Sequence, residues 1–233
     1  MPGRDYSIST LDRCSGDIPV HTCSWNAGEA HLWAPFFVEA SPRVHLVAID
    51  RPGFGESGPD DAVPSLVEQA EAVLAVIRSL NKGPAILVAH SYGGPIVVRA
   101  AIKEPASVAS LVLLASSFDP TLEQAKALQQ ALDGWPAHLV LPRRLRNANK
   151  ELLALNLELS HLSDRLGEVV TPVTIVHGTK DDLIPMTNVE YLSSRLTGSR
   201  LLTTRLLEGQ GHFLPMKARQ DVLKIIDAAI DVM

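Results

Sequence analysis

The sequence predicts an α/β protein with an open, mostly parallel sheet flanked by helices, in a single domain over residues 1–233. Short runs of apolar, β-branched residues alternate along the chain with longer segments of helical periodicity. Such alternation is typical of a sheet with right-handed crossovers. Several runs carry apolar residues on both faces of the strand, which suits strands buried between two helix layers. With 233 residues, 46% of them hydrophobic, the chain can form a large core without disulfides or metals.

Five segments have the composition of β-strands, the clearest being Val44-His-Leu-Val-Ala-Ile49 and the weakest the last one. In chain order the predicted strands are 44–49, 85–89, 108–114, 173–176 and 201–207. Upstream of them, about twenty polar-leaning residues precede His21, and Ile18-Pro-Val20 makes a poor strand. We therefore expect a shortened or altered N-terminal region.

Four helices are predicted around these strands, at 64–80, 94–103, 187–196 and 218–232. The first begins with a proline and carries apolar residues at helical spacing. The segment from about 120 to 168 has helical patterns but no convincing strand. An insertion after the C-terminal end of a strand lies over the edge where ligands bind. We interpret 120–168 as a small helical cap; additional scaffold helices are the alternative.

Composition excludes several classes of function. The net charge of −5 argues against a general nucleic-acid binder, which needs a basic surface. The two cysteines, Cys14 and Cys23, have neither a disulfide framework nor the CxxC spacing of a metal site. No apolar run reaches the roughly 18 residues of a membrane span, and the start lacks a signal core. We expect a cytoplasmic protein without a membrane span; the sequence carries no signal for its oligomeric state.

The segment Ala89-His-Ser-Tyr-Gly-Gly94 joins a predicted strand to a predicted helix. In that context small-x-Ser-x-Gly is a nucleophile-elbow pattern, which places Ser91 on a tight turn at the C-terminal edge of the sheet. A serine hydroxyl is a weak nucleophile unless a base activates it. Ser91 is therefore a candidate nucleophile that needs a histidine and an acid.

Two later loops supply these groups. His212 follows the last predicted strand, and Asp181 and Asp182 follow the strand 173–176. All three loops leave the C-terminal ends of strands, so in a parallel sheet they share one edge. The residues predict a serine, a histidine and one of two aspartates at a common site.

These motifs resemble those of the α/β-hydrolase family, from about Ala30 to the C-terminus. The order serine, aspartate, histidine along the chain is also that of the family. The resemblance implies an α/β-hydrolase fold and a triad of Ser91, Asp181 and His212, with Asp182 as the fallback acid and no metal or organic cofactor. The matching segments are Asp50-Arg-Pro-Gly-Phe-Gly-Glu-Ser57, Ala89 to Gly94, His177-Gly-Thr-Lys-Asp181 and Gly211-His-Phe-Leu-Pro215.

The resemblance also implies two backbone N–H donors for the oxygen that becomes negatively charged in the transition state. Tyr92, the residue after the nucleophile, supplies one of them. Cys23 is expected to supply the other, from the place that follows the third strand of the family. Thr22 stands there in place of a glycine, and a β-branched residue resists the backbone angles that glycine adopts.

The implied reaction is hydrolysis of small to medium carboxylic esters through an acyl-enzyme. Thr22, Trp135 and Leu139 are candidate substrate-binding residues; for Trp135 and Leu139 the alternative is packing of the cap. One other function is a lyase or C–C bond hydrolase with the same triad, because His21-Thr22 resembles a pair in plant hydroxynitrile lyases. Another is a catalytically inactive binding protein, because the N-terminal region departs from the family.

Overall fold

The computed structural model of the chain describes residues 7–13, 15–23, 29–123, 127–134 and 141–232. Within them, seven strands form one sheet in the spatial order β1-β3-β2-β4-β5-β6-β7. Only β1 runs antiparallel to its neighbour β3; all other neighbours are parallel. The predicted mostly parallel sheet is confirmed. The strands are β1 Thr10–Arg13, β2 Ile18–Cys23, β3 Val44–Ile49, β4 Ala85–His90, β5 Val108–Leu114, β6 Val173–Gly178 and β7 Leu202–Leu207.

The five strands predicted from the sequence are β3 to β7, but the expectation that Ile18-Pro-Val20 is a poor strand is wrong. These residues begin β2, which lies between β3 and β4, and residues 19–23 are all buried. Pro19 is tolerated because it is in register with His45 of β3, while the pairing with β4 starts only at Val20. Its missing N–H therefore removes no bond to β4.

Eight α-helices are described. Those predicted from the sequence correspond to α2, α3, α6 and α8. Ser65 caps the start of α2, because its hydroxyl accepts the N–H of Glu68, and Asn81 follows the last helical residue in the left-handed conformation. The helices are α1 Ala34–Glu39, α2 Leu66–Leu80, α3 Gly93–Lys103, α4 Ala127–Leu132, α5 Arg143–Ser163, α6 Thr187–Arg195, α7 Leu214–Lys217 and α8 Arg219–Ile230.

Helices cover both faces of the sheet. On one face, the side chains of α2, α3, α5 and α6 pack on alternate residues of the strands, such as Ile49 and Leu87. On the other face, α1 and α8 pack on the residues between them, such as Leu46 and Val88. This two-layer burial explains why the central strands are apolar at nearly every position. None of the helices in the described residues has the length and apolar character to cross a bilayer.

The described residues between β5 and β6 form helices, with α4 and α5 as the two α-helices, and contain no strand. The apolar residues Leu155, Leu159 and Leu162 in the C-terminal half of α5 belong to the same core cluster as the sheet. Glu158 also accepts a hydrogen bond of 2.8 Å from the N–H of Leu66, at the start of α2. This half of α5 is therefore anchored to the main body, while the role of 120–168 as a cap stays a prediction.

Candidate active site

Ser91 lies on the turn between β4 and α3, and its φ angle is +54°. This left-handed conformation costs a residue other than glycine about 1–3 kcal/mol. Two hydrogen bonds hold it: the N–H of Ser91 donates to the carbonyl of Leu114 at 2.9 Å, and its carbonyl accepts from Gly94 at 3.0 Å. Within the otherwise buried run 85–98, Ser91 alone stays partly exposed. The strained turn thus leaves Ser91 partly exposed at the edge of the sheet.

Close packing behind the turn depends on Gly94. A Cβ atom added there would lie 2.4 Å from Oγ of Ser116, in the segment that follows β5. Contacts this short do not occur, so any side chain at position 94 would push α3 away from the sheet. The pattern of small residues around Ser91 therefore has a steric basis in this fold.

Asp181 lies in the loop after β6, and its side chain is buried. Its Oδ2 accepts a hydrogen bond of 2.9 Å from Nδ1 of His212, and its Oδ1 accepts the N–H groups of Leu183 and Ile184 at 2.9 Å each. Burial raises the pKa of the Asp181 carboxyl, but these hydrogen bonds outweigh it and hold the pKa below its ordinary value. Asp182, the fallback acid, is exposed. The carboxylate beside His212 is therefore that of Asp181, and it is ionised at neutral pH.

His212 lies in the loop after β7, with its side chain only 4% exposed. Since Nδ1 faces a carboxylate, it is assigned as the protonated nitrogen, and Nε2 is the nitrogen left to act as a base. The ring stands 4.8 Å from that of His90, the residue before Ser91. Nε2 of His90 donates to the carbonyl of His212 at 2.8 Å. Burial and the nearby His212 lower the pKa of His90 to about 3, so His90 is neutral.

The fold thus brings Ser91, Asp181 and His212 together at one edge of the sheet. They lie in the loops that follow β4, β6 and β7, respectively. Among the described residues no hydrogen bond joins Oγ of Ser91 to His212. In ligand-free enzymes this bond is often long and shortens when substrate binds. The roles of the three residues remain predictions, supported by their placement.

The two expected oxyanion donors lie at the same edge. Tyr92 is buried at the start of α3, and Cys23 ends β2, in register with Ala89 of β4. Thr22 is fully buried, and within the described residues its hydroxyl has no hydrogen-bond partner. Trp135 and Leu139, the other two candidate substrate-binding residues, lie outside the described part of the chain.

Reasoning from the sequence missed the ion pair between Arg51 and Glu151, both of which are fully buried. The guanidinium binds the carboxylate through two hydrogen bonds of 2.9 Å. The partners are one hundred positions apart, and no local pattern pairs them. In the sequence alone, Arg51 is part of a motif and Glu151 is an ordinary helix residue.

A cavity of about 580 Å³ lies between the loop after β3 and the start of α5. Asp50, Glu56 and Arg144 are among the residues that line it, but none of the three triad candidates is. Asp50 is held in place by the N–H groups of Ala30 and Glu56. This cavity therefore adds no group to the proposed chemistry. In the described residues, no cluster of three or more His, Cys, Asp or Glu side chains is arranged to hold a metal ion.

Comparison with known proteins identifies the family. The model of the alpha/beta hydrolase family matches residues 20–225. The mitochondrial palmitoyl-protein thioesterase ABHD10 of Mus musculus is 26% identical over 196 residues, which are 81% of this chain and 65% of that protein. The 2-(acetamidomethylene)succinate hydrolase of Mesorhizobium japonicum is 33% identical over 108 residues, 46% of this chain and 36% of that protein. The chain therefore spans less than two thirds of the length of these two relatives.

A solved structure supports the same fold. The crystal structure of E-2-(acetamidomethylene)succinate hydrolase has a TM-score of 0.75 with this chain, at 22% identity, over 97% of this chain and 96% of that one. The predicted fold with its flanked, mostly parallel sheet is thereby confirmed. Since the family model spans most of the residues and the fold agrees with it, the chain belongs to the alpha/beta hydrolase family.

Proposed function

We propose that this protein is a serine hydrolase that cleaves carboxylic esters through Ser91, His212 and Asp181. The observation that carries the proposal is the 2.9 Å hydrogen bond between His212 and Asp181, at the sheet edge where Ser91 lies partly exposed on its strained turn. A nucleophile, a base and an acid that orients the base are the groups that acyl transfer to water requires. The relatives named as hydrolases and thioesterases support the same class of reaction.

In the first half-reaction, Nε2 of His212 takes the proton of Ser91 as its Oγ attacks the ester carbonyl. Asp181 keeps the imidazole in the tautomer with Nδ1 protonated and stabilises the imidazolium that forms. The N–H groups of Tyr92 and Cys23 donate to the carbonyl oxygen as it becomes an oxyanion. His212 then protonates the alcohol, which leaves, and Ser91 carries the acyl group.

In the second half-reaction, His212 takes a proton from water, which attacks the acyl carbonyl. The tetrahedral intermediate collapses, the proton returns to Oγ of Ser91, and the free acid leaves. The substrate class proposed is a small to medium ester with an apolar acyl part. A thioester suits the same mechanism, since the ABHD10 relative is named as a palmitoyl-protein thioesterase. The cytoplasmic location stays a prediction, and one relative is named as mitochondrial.

A panel of p-nitrophenyl esters of increasing acyl length, with thioester counterparts, tests the proposal on the wild type and on Ser91→Ala. We expect turnover in the wild type and its loss by a factor of about 10³ or more in Ser91→Ala. A fluorophosphonate probe should label the folded wild type at Ser91. The matched control Ser160→Ala, on α5, should keep both turnover and labelling. Labelling at a different residue, or none, would refute the mechanism.

A lyase or C–C bond hydrolase that uses the same three residues is the second candidate. One observation favours it: among the described residues, the buried hydroxyl of Thr22 has no hydrogen-bond partner. Thr22 belongs to the pair that resembles one in plant hydroxynitrile lyases, and its hydroxyl is available to bind a substrate. Turnover of a cyanohydrin together with inactivity on every ester of the panel would select it. If the folded protein binds these compounds but turns none of them over, the inactive binding protein is selected instead.

A further inference from the structure

A fully buried ion pair lies beside Tyr92, one of the two residues expected to bind the oxyanion. Arg51, in the loop after β3, binds Glu151 of α5 through Nη1 to Oε1 and Nη2 to Oε2, each at 2.9 Å. The side chains are 1% and 0% exposed. Nε2 of Gln69, on α2, donates to Oε1 of Glu151 at 2.8 Å and to the carbonyl of Val63 at 3.0 Å. The pair therefore joins three separate parts of the chain, one of them α5.

The guanidinium of Arg51 also contacts aromatic rings. Its central carbon lies 4.9 Å from the centroid of the Tyr92 ring and 4.6 Å from that of Phe54. Such cation–π contacts are strongest where water is excluded. The phenol of Tyr92 donates to the carbonyl of Pro64 at 3.4 Å. Arg51 thus fixes one side of the residue whose N–H is expected to bind the substrate oxygen.

The charges of the same pair also act on Cys23, the other expected donor. Burial raises the pKa of the Cys23 thiol to about 12, with the charge of Arg51 opposing this rise and that of Glu151 adding to it. The thiol is therefore neutral and inert, and the part of Cys23 that remains for chemistry is its backbone N–H. The direct contact of the guanidinium is therefore with the donor Tyr92.

We infer that Arg51 and Glu151 are a positioning pair for the oxyanion site, through which helix α5 holds the donor Tyr92 in place. The inference rests on the proposed function. A buried ion pair contributes little net stability, because its attraction is largely offset by the loss of hydration, and apolar residues of similar volume often replace it without loss. Donor geometry, in contrast, directly affects the rate, since one lost oxyanion donor costs about 10²–10³ in kcat.

The double variant Arg51→Met/Glu151→Leu tests the inference, because it removes both charges and leaves no unpaired partner. We expect a Tm within a few degrees of the wild type, a fall in kcat of about tenfold or more, and a KM within about twofold. Affinity for a trifluoromethyl ketone, which forms an oxyanion at Ser91, should fall in parallel with kcat/KM. A purely structural pair would change Tm and leave the kcat of the folded protein intact.

The matched control is Arg219→Met/Glu39→Leu, which removes an ion pair between α8 and α1 on the surface. It should leave kcat and ketone affinity unchanged. If the first double variant does not fold, Glu151→Gln replaces it, since the glutamine keeps the side-chain shape and one oxygen acceptor for Arg51. The kcat and KM of this variant, measured below its Tm, should then show the same fall in kcat at nearly constant KM. A folded variant with the kcat and ketone affinity of the wild type overturns the inference. Lack of Ser91 labelling in the wild type instead overturns the proposed function, and the inference with it.

Discussion

Replacement of His21 should make the protein less sensitive to acid. His21 lies on the central strand β2, is 1% exposed, and neither of its ring nitrogens has a hydrogen-bond partner among the described residues. Burial lowers the pKa of this imidazole to about 4, with His45 lowering it further and Asp12 opposing. The native state therefore holds His21 neutral, whereas the unfolded chain protonates it near pH 6.5.

The magnitude follows from linkage. The folded pKa is depressed, so His21 has no protonation cost above pH 6.5, but below it the unfolded chain binds a proton that the native state does not, and stability is lost as the pH falls to about 4. A difference of about 2.5 pKa units corresponds to about 3 kcal/mol, lost at about 1.4 kcal/mol per pH unit. This is a substantial part of the 5–15 kcal/mol that is usual for the total stability of a domain.

The variant His21→Leu removes the titrating group without breaking a hydrogen bond to a described residue. At neutral pH we expect equal or higher stability, since an unpaired buried polar group costs about 1–3 kcal/mol. The free energy of unfolding, measured by urea titration followed by tryptophan fluorescence, should depend less on pH by about 1.4 kcal/mol per unit between pH 6.5 and 4. The control His31→Gln, at an exposed position, should follow the wild type. Equal slopes for His21→Leu and the wild type would refute the reasoning.

The choice of acid is tested by a pair of variants: Asp181→Asn should lower kcat by about 10³–10⁴ because His212 then holds the wrong tautomer, whereas Asp182→Asn should stay within about twofold. The opposite result in ester turnover would assign the acid to Asp182. Gly178→Ala should lower the free energy of unfolding by about 1–3 kcal/mol and should also lower ester turnover. The added Cβ would lie 2.3 Å from the carbonyl oxygen of Gln210, so it would separate the two loops that carry Asp181 and His212. Urea unfolding and ester turnover of this variant at wild-type levels would show that the two loops tolerate the added atom.

The central strands could be predicted because burial on both faces leaves a direct mark on composition. Val44–Ile49 and Ala85–His90 are buried at every position, and their runs of apolar residues show it. Strand β2 is equally central, but Pro19, His21 and Thr22 disguise it, and only its pairing with β3 and β4 makes it a strand. Strand β1 is an exposed edge of four residues, too short and polar to be recognised.

The site shows the same division between local and distant information. The Ser91 turn and the two loops carry their motifs in a few consecutive residues, so the sequence could place them at one edge of the sheet. Adjacent aspartates cannot be told apart by local pattern, so the choice of Asp181 over Asp182 came from the family resemblance, and the hydrogen bond of Asp181 with His212 agrees with it. The contact of Arg51 with Glu151 depends on how α5 packs, and no residue near either one indicates it.

The position of β7 at the end of the sheet has a consequence for how the protein is made. Synthesis proceeds from the N-terminus, and folding often follows the emerging chain. The loop that bears His212 comes after β7 in the chain, so a ribosome must complete this outermost strand before the proposed base can reach Ser91. Under the proposed mechanism, a product that ends before His212 has no base for Ser91 and should turn over no ester, so turnover would report that translation has passed β7.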